Sequence, residues 1–197
     1  GFIMWGDDPN TTILKWIGPD DSKASIIWCA GSHDGIVARL GFDGQGTNVI
    51  GYRFERDGGV GINQSYDRIQ DCTFKDMGCG IANTDNYPGV GTDSEFSILR
   101  CRFYRCRNYG VTTYAAEAYD YWIRNCYFEE CGKAAGVQLY DGYNNFYPHI
   151  AYWGGGAGQF SIYDCVFNAS KECDVSGLHG QNIGVRRCVS INSFRFL

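Results

Sequence analysis

Ile69-Gln-Asp-Cys72-Thr-Phe74, Ile98-Leu-Arg-Cys101-Arg-Phe103, Ile123-Arg-Asn-Cys126-Tyr-Phe128 and Ile162-Tyr-Asp-Cys165-Val-Phe167 write one pattern four times. A fifth copy, Val185-Arg-Arg-Cys188-Val-Ser190, keeps the Cys and loses the Phe. Arg39-Leu40-Gly41-Phe42 reads as an earlier copy with Leu40 in the Cys place. The Cys-to-Cys steps are 29, 25, 39 and 23 residues, and each Phe is followed by a polar turn and then Gly plus an aliphatic: Gly80-Ile81, Gly110-Val111, Gly136-Val137, Gly177-Leu178. A unit recurring on this scale is the mark of a repeat architecture, in which each copy is one supersecondary unit.

Within the unit, Cys and Phe are two apart and share one face of a strand. Ile and Cys are three apart, which breaks strand parity, so the chain must bend between them, at Asp71, Arg100, Asn125, Asp164 and Arg187. Two short strands meeting at a one-residue corner, with a third starting at Gly-aliphatic, describe one rung of a parallel β-helix. Leucine-rich repeats would need a regular Leu/Asn consensus, and a propeller blade would need four strands in about 40–45 residues. The expected fold is therefore all-β: one single-stranded right-handed parallel β-helix domain over residues 1–197, with six or seven rungs. Asn10-Thr-Thr-Ile13-Leu14-Lys-Trp16 reads as an early rung with little before it, and Ser193-Phe-Arg-Phe-Leu197 stops at a rung, so the chain reads as truncated at both ends.

The repeated [Asp/Asn/Arg]-Cys-x-Phe…Gly-[Ile/Val] rung resembles the pectin-lyase-like family of right-handed parallel β-helices, over about residues 36–191. That resemblance implies the fold. It leaves the activity open, because polysaccharide lyases, glycoside hydrolases, epimerases and phage tailspikes share it.

Composition narrows the partners. With 17 basic against 22 acidic side chains, a net charge of −5 and no Lys/Arg run, the chain lacks the clustered positive charge that phosphate binding needs, so no nucleic-acid partner is expected. No apolar stretch reaches the roughly 18 residues of a membrane span. Ten Cys could suggest disulfides or a metal, but Cys72, Cys101, Cys126, Cys165 and Cys188 recur at one inward position, and Cys106 and Cys131 begin a second column with Met77 and Ser170. Buried thiols pack as small apolar groups, so a thiol core is expected. Disulfides among the rest, Cys29, Cys79 and Cys173 included, are the alternative. No Cys-x-x-Cys pair and only three His argue against a metal centre.

Function is expected on the variable loops, since the rungs are committed to packing. These loops hold Asn83-Thr-Asp85, then Tyr114, Glu117 and Trp122, then Tyr140-Asp141-Gly-Tyr143 with His149 and Trp153, then His179-Gly-Gln181. Carboxylates, amides and aromatics gathered on one side suit a sugar chain, because rings stack on pyranose faces and polar groups take hydroxyls. Counting from the aliphatic residue aligns Ala82, Thr112, Gln138 and His179 in one row and puts Asp85 and Asp141 two rungs apart, about 9–10 Å by strand spacing. That lies at the upper edge of the roughly 6.5–9.5 Å of an inverting glycosidase. Asn83-Thr84-Asp85 and His179-Gly180 also resemble motifs of polygalacturonase-type hydrolases, although the paired Asp-Asp and Arg-Ile-Lys are missing.

The expected function is a carbohydrate-active β-helix that binds and cleaves a polysaccharide, as hydrolase or lyase, outside the cell or on a cell or virion surface. The candidate catalytic residues are Asp85, Asp141 and His179. The candidate substrate-binding residues are Asn83, Tyr114, Glu117, Tyr140, Tyr143, His149, Trp153 and Gln181. No cofactor is expected, with Ca2+ entering only for a lyase, and a homotrimer only for a tailspike-like protein. A non-catalytic glycan-binding adhesin or structural surface β-helix is the alternative.

Overall fold

The computed structural model describes residues 1–55, 66–83, 93–113, 118–132, 149–152, 159–170, 172–177 and 182–196. Every strand in it is parallel to its neighbours, in sheets of seven, seven and six strands plus a two-stranded pair, Asp93–Ser94 with Ala118–Tyr119. Successive strands in sequence go to successive sheets, so Arg68–Gln70, Thr73–Lys75 and Cys79–Asn83 make one turn, and Ser97–Leu99, Arg102–Tyr104 and Tyr109–Thr113 make the next. The first turn is Ile3–Trp5, Ile13–Lys15 and Ser25–Ala30, and the last pair of strands is Asn182–Arg186 and Val189–Ile191. This is a parallel β-helix of six three-stranded turns and a seventh of two strands among the described residues.

The repeat maps onto it copy by copy. Val37, Ile69, Ile98, Ile123, Ile162 and Val185 are in register in the first sheet, and Phe42, Phe74, Phe103, Phe128 and Phe167 in the second. The five Phe are fully buried, and their rings stack with centroids 4.6, 5.2, 4.6 and 5.2 Å apart in that order. A second aromatic stack, Phe54, Phe96, Tyr121 and Phe160, runs through the same core at 3.9, 5.4 and 4.8 Å. Register is fixed strongly because a one-residue slip would turn both stacks outward.

The corners have a local cause. Arg39, Asp71, Arg100, Asn125, Asp164 and Arg187 all have φ of 51–58°, the left-handed region that turns the chain in a single residue. Each corner still bonds the neighbouring turn: the amides of Asp71 and Arg100 donate to the carbonyls of Leu99 and Arg124 at 2.9 Å. A second corner, at Asp76, Arg105, Glu130, Ala169 and Asn192, repeats the device at φ 51–59°. Opposite charges stack at both corners, with Arg100 bidentate on Asp71 and Arg187 on Asp164 at the first and Arg105 on Asp76 at the second. Such solvent-screened pairs contribute little to stability.

All ten cysteines are free thiols. In the main column the sulfurs sit just inside the corner and donate to a carbonyl of the preceding turn, as Cys101 does to Ile69 at 3.6 Å and Cys126 to Ile98 at 3.5 Å. The thiol-core reading holds.

One feature of the expected unit is corrected. Gly80-Ile81 and Gly110-Val111 do enter the third sheet, and Gly80 must be glycine because a Cβ there would lie 2.6 Å from both a Phe103 ring carbon and the Gly110 carbonyl. In the next two turns, however, the partners of Val111 are Ile150 and then Val175. Gly177 ends its strand rather than opening one, and Gly136-Val137 lies outside the described residues. The row that begins Ala82, Thr112 continues with Ala151 and Ser176, not Gln138 and His179. The distance from Phe to the third strand is not constant: residues 133–148 fall between Tyr127–Glu129 and the third strand of that turn, Ile150–Tyr152. Asp141 therefore precedes a third-sheet strand and Asp85 follows one, which removes the register basis for their two-rung spacing.

Candidate functional site

The corner that leads into the first sheet is the chemically richest surface described. Arg68, Ser97 and Trp122 are in register, so the residues two before them, Tyr66, Glu95 and Asp120, occupy equivalent positions on adjacent turns. Asp34 precedes this column by one turn, and Gln159 and Asn182 extend it. Asp34, Tyr66, Glu95 and Asp120 have φ of 55, 61, 64 and 55°, so each makes the turn with its own backbone. Stacking in register spaces such a column at about 4.8 Å per turn, a ladder of acid, phenol, acid, acid and two amides along the solenoid.

A pocket of about 240 Å³ opens in this ladder, lined by Tyr66, Glu95, Ser97, Asp120 and Trp122. Its two aromatics are open to solvent, Tyr66 58% and Trp122 43% exposed. The Glu95 carboxylate beside Tyr66 favours the protonated phenol and repels a phenolate, which holds Tyr66 above its usual range. The outer face of the first sheet continues the surface away from the corner. The Arg124 guanidinium lies 4.6 Å from the Trp122 ring and 5.2 Å from the Tyr163 ring, and Arg186 lies 5.8 Å from Tyr163. Such cation–π contacts tie both rings to arginines on the same face of the sheet.

The residues singled out in the sequence fare differently. Asp85, Asp141, His179, Tyr114, Glu117, Tyr140, Tyr143, Trp153 and Gln181 lie outside the described residues. Asn83 and His149 are corrected: both are 0% exposed and point into the core. Asn83 is two residues past the inward Ile81 and shares its face. Its amide donates to the hydroxyl of core Tyr121 at 2.7 Å. His149 packs between the rings of Phe128 and Phe167, each 5.9 Å away.

His149 also belongs to an interior polar cluster. Its Nε2 lies 3.7 Å from Asp174 Oδ1, the Ser190 hydroxyl donates to Asp174 Oδ2 at 2.5 Å, and Cys131 faces His149 from the second corner. Burial opposes ionisation of Cys131, but the neighbouring Cys106 thiol and His149 imidazole outweigh it and bring the thiol down to about 6. Cysteine, imidazole and carboxylate in this order are the parts of a nucleophilic triad. All three are 0% exposed, so no substrate reaches them, and His149 Nδ1 and Nε2 and Asp174 Oδ1 have no hydrogen-bond partner among the described residues. Among the described residues no set of three His, Cys, Asp or Glu is placed to hold a metal ion. A wider concavity of about 580 Å³, lined by Trp5, Asp8, Arg39, Asp71, Arg100 and Arg102 among others, lies at the next corner, where Asp71 already occupies Arg100.

Sequence reading missed the Tyr66–Glu95–Asp120 column because it counted forward from the repeat. Counting backward three from each Val37, Ile69, Ile98, Ile123, Ile162 and Val185 returns Asp34, Tyr66, Glu95, Asp120, Gln159 and Asn182, a signal in the same alignment.

Fold and site together define a parallel β-helix with an open groove of acids, amides and aromatics along one corner. No protein family, no curated protein and no solved structure matches the chain.

Proposed function

We propose that the protein binds a polysaccharide along the first-sheet face, parallel to the solenoid axis, and hydrolyses it at the pocket between Tyr66 and Trp122. The observation that carries this reading is the pair of carboxylates, Glu95 and Asp120, set one turn apart between two exposed aromatic rings. Rings supply the apolar stacking that pyranose faces require, and a carboxyl pair is the acid–base machinery of glycoside hydrolysis. Hydrolysis is favoured over elimination because a lyase needs a base beside a group that neutralises the substrate carboxylate. The described lining of this pocket holds two acids and no Lys, His or Arg. A polysaccharide substrate fits a site of action outside the cell or on a cell or virion surface.

The test is a panel of neutral and uronic polysaccharides, assayed for binding, for new reducing ends and for unsaturated-uronate absorbance. New reducing ends without unsaturated product support the proposal. Unsaturated product assigns a lyase instead, and binding with neither signal assigns the non-catalytic adhesin.

A further inference from the structure

We infer that the concavity at the corner between the first and second sheets binds an acidic sugar, its oxyanion held by Arg39 and Arg102 and its ring lying against Trp5. This site shares no described lining residue with the carboxyl pocket and does not depend on the hydrolase reading.

A loop laid on the second sheet builds the recess. The Gly6 amide donates to the Ala38 carbonyl and the Gly41 amide to the Thr12 carbonyl, both at 2.9 Å, so the segment between Gly6 and Thr12 is tied to the next turn at each end. Within it Asp8 closes a tight turn: its carbonyl accepts the Thr11 and Thr12 amides at 3.1 and 2.8 Å, and its Oδ1 accepts the Asn10 amide at 2.8 Å. A Cβ on Gly41 would run into the Pro9 carbonyl oxygen, so the loop rests directly on the sheet there. Thr73 and Arg102 follow Gly41 in register on the next two turns, with side chains on the outer face because Phe74 and Phe103 beside them point inward. The resulting recess of about 580 Å³ lies between the loop and the corner residues of the three turns that follow it.

Charge and size select the ligand. The guanidiniums of Arg39, Arg100 and Arg102 line the recess together with the carboxylates of Asp8 and Asp71. Asp71 is already neutralised, since both its oxygens accept from Arg100, at 2.6 and 2.8 Å. Arg39 donates to the Asp7 carbonyl, and neither Arg39 nor Arg102 forms an ion pair among the described residues, although both are exposed. Guanidinium donors in a planar fork match the oxygens of carboxylate, sulfate or phosphate. The volume falls in the roughly 300–1,000 Å³ range of small-molecule sites, more than a bare oxyanion fills. Trp5, 56% exposed, supplies an apolar wall for a pyranose face, and Asn10 and Thr73 supply an amide and a hydroxyl for its hydroxyls. A neutral sugar would leave the two arginines without a counter-charge, and a bare oxyanion would leave Trp5 unused.

The experiment is isothermal titration calorimetry on the full chain in low-salt buffer. The probes are galacturonate and galactose bearing sulfate or phosphate on its primary hydroxyl, with plain galactose and sodium sulfate as controls. At least one acidic sugar should bind about tenfold or more tightly than either control, with an affinity that falls as sodium chloride is raised. Arg39→Gln and Arg102→Gln should each weaken that binding about tenfold or more, and Trp5→Ala should bring it toward the affinity of bare sulfate. Arg187→Gln removes an exposed corner arginine of the last described turn, paired with Asp164, and should change nothing. Unchanged melting curves identify the folded variants. Arg102 has no printed partner to lose, so its variant tests the site even where Arg39→Gln, which gives up the bond to the Asp7 carbonyl, fails to fold. Tighter binding of trigalacturonate than of galacturonate supports a unit of a polymer as the source of the acidic sugar, and equal affinity supports a free sugar acid. Galactose or sulfate binding as well as every acidic sugar, full affinity in folded Arg102→Gln, or no binding of any acidic sugar overturns the inference and leaves the hydrolase reading standing.

Discussion

Replacing Phe103 by alanine probes the ring stack that sets the register of the whole solenoid. Phe103 is 0% exposed, with Phe74 at 5.2 Å on one side and Phe128 at 4.6 Å on the other, the planes within 7° and 6° of parallel. Truncating a buried Phe costs about 3–5 kcal/mol in transfer and cavity terms. Ring pairing adds about 0.5–1.5 kcal/mol per partner beyond burial. Phe42, equally buried, has a ring neighbour on one side only, because the residue in register on the other is Leu14. Phe103→Ala should therefore cost about 0.5–1.5 kcal/mol more than Phe42→Ala, with both in or above the 3–5 kcal/mol range. Solenoid turns contact only their neighbours, so the loss should be felt as a broken interface between adjacent turns. Urea titration followed by far-UV circular dichroism gives both values, with Tyr104→Ala, whose ring is half-buried on the outer face, expected to cost under about 1 kcal/mol. A Phe103→Ala cost no larger than that of Tyr104→Ala would refute the stacked-core account.

Gly80→Ala should destabilise by about 1–3 kcal/mol through overpacking. Combining it with Phe103→Leu should recover only part, since the added Cβ also meets the Gly110 carbonyl. Thiol titration of the native protein with a bulky disulfide reagent should find reaction confined to Cys29 and Cys188, the two half-buried thiols, and ten reactive groups after unfolding. Rapid native reaction at any of the other eight would contradict the closed thiol columns. Burial works against ionisation of Asp43, but the Gln45 amide and Lys75, 3.2 Å away, outweigh it and hold the carboxyl below its usual range. Arg187 does the same for exposed Asp164. Because these folded-state values lie below the unfolded ones, their contribution is complete above about pH 4 and is lost as pH falls through the folded values. Asp43→Asn should flatten the acid limb of a stability-against-pH curve, and an unchanged limb would show that Asp43 carries no such linkage.

The fold was legible because its determinants are local and repeated. A three-residue step from Ile to Cys forces one left-handed corner residue, and Asp71, Arg100, Asn125, Asp164 and Arg187 all adopt that conformation. The position of the third strand was legible only where the turn after Phe is short. At Gly80 and Gly110 the aliphatic neighbour marks it, whereas sixteen residues, 133–148, separate Gly132 from His149 and hid the entry at Ile150. The interior position of Asn83 and His149 was hidden for another reason. A polar residue next to a loop reads as exposed, and only tertiary placement reveals that Tyr121 and Asp174 receive them. The Glu95–Asp120 pair was in the alignment but does not form a motif, because its members are twenty-five residues apart in sequence and adjacent only once the turns stack.

The central claim is that a glycan lies on the first-sheet face, and two equally simple substitutions separate that face from the rest of the molecule. Trp122 is 43% exposed beside the acid pair, and Trp28 is 61% exposed on the third sheet, also under an arginine. Fluorescence anisotropy with a labelled oligosaccharide from the polysaccharide selected by the panel measures the affinity of each variant. Trp122→Ala should weaken binding by about tenfold, the loss of about 1.4 kcal/mol, and Trp28→Ala should leave it unchanged. Full affinity in Trp122→Ala, or a loss confined to Trp28→Ala, would contradict the account.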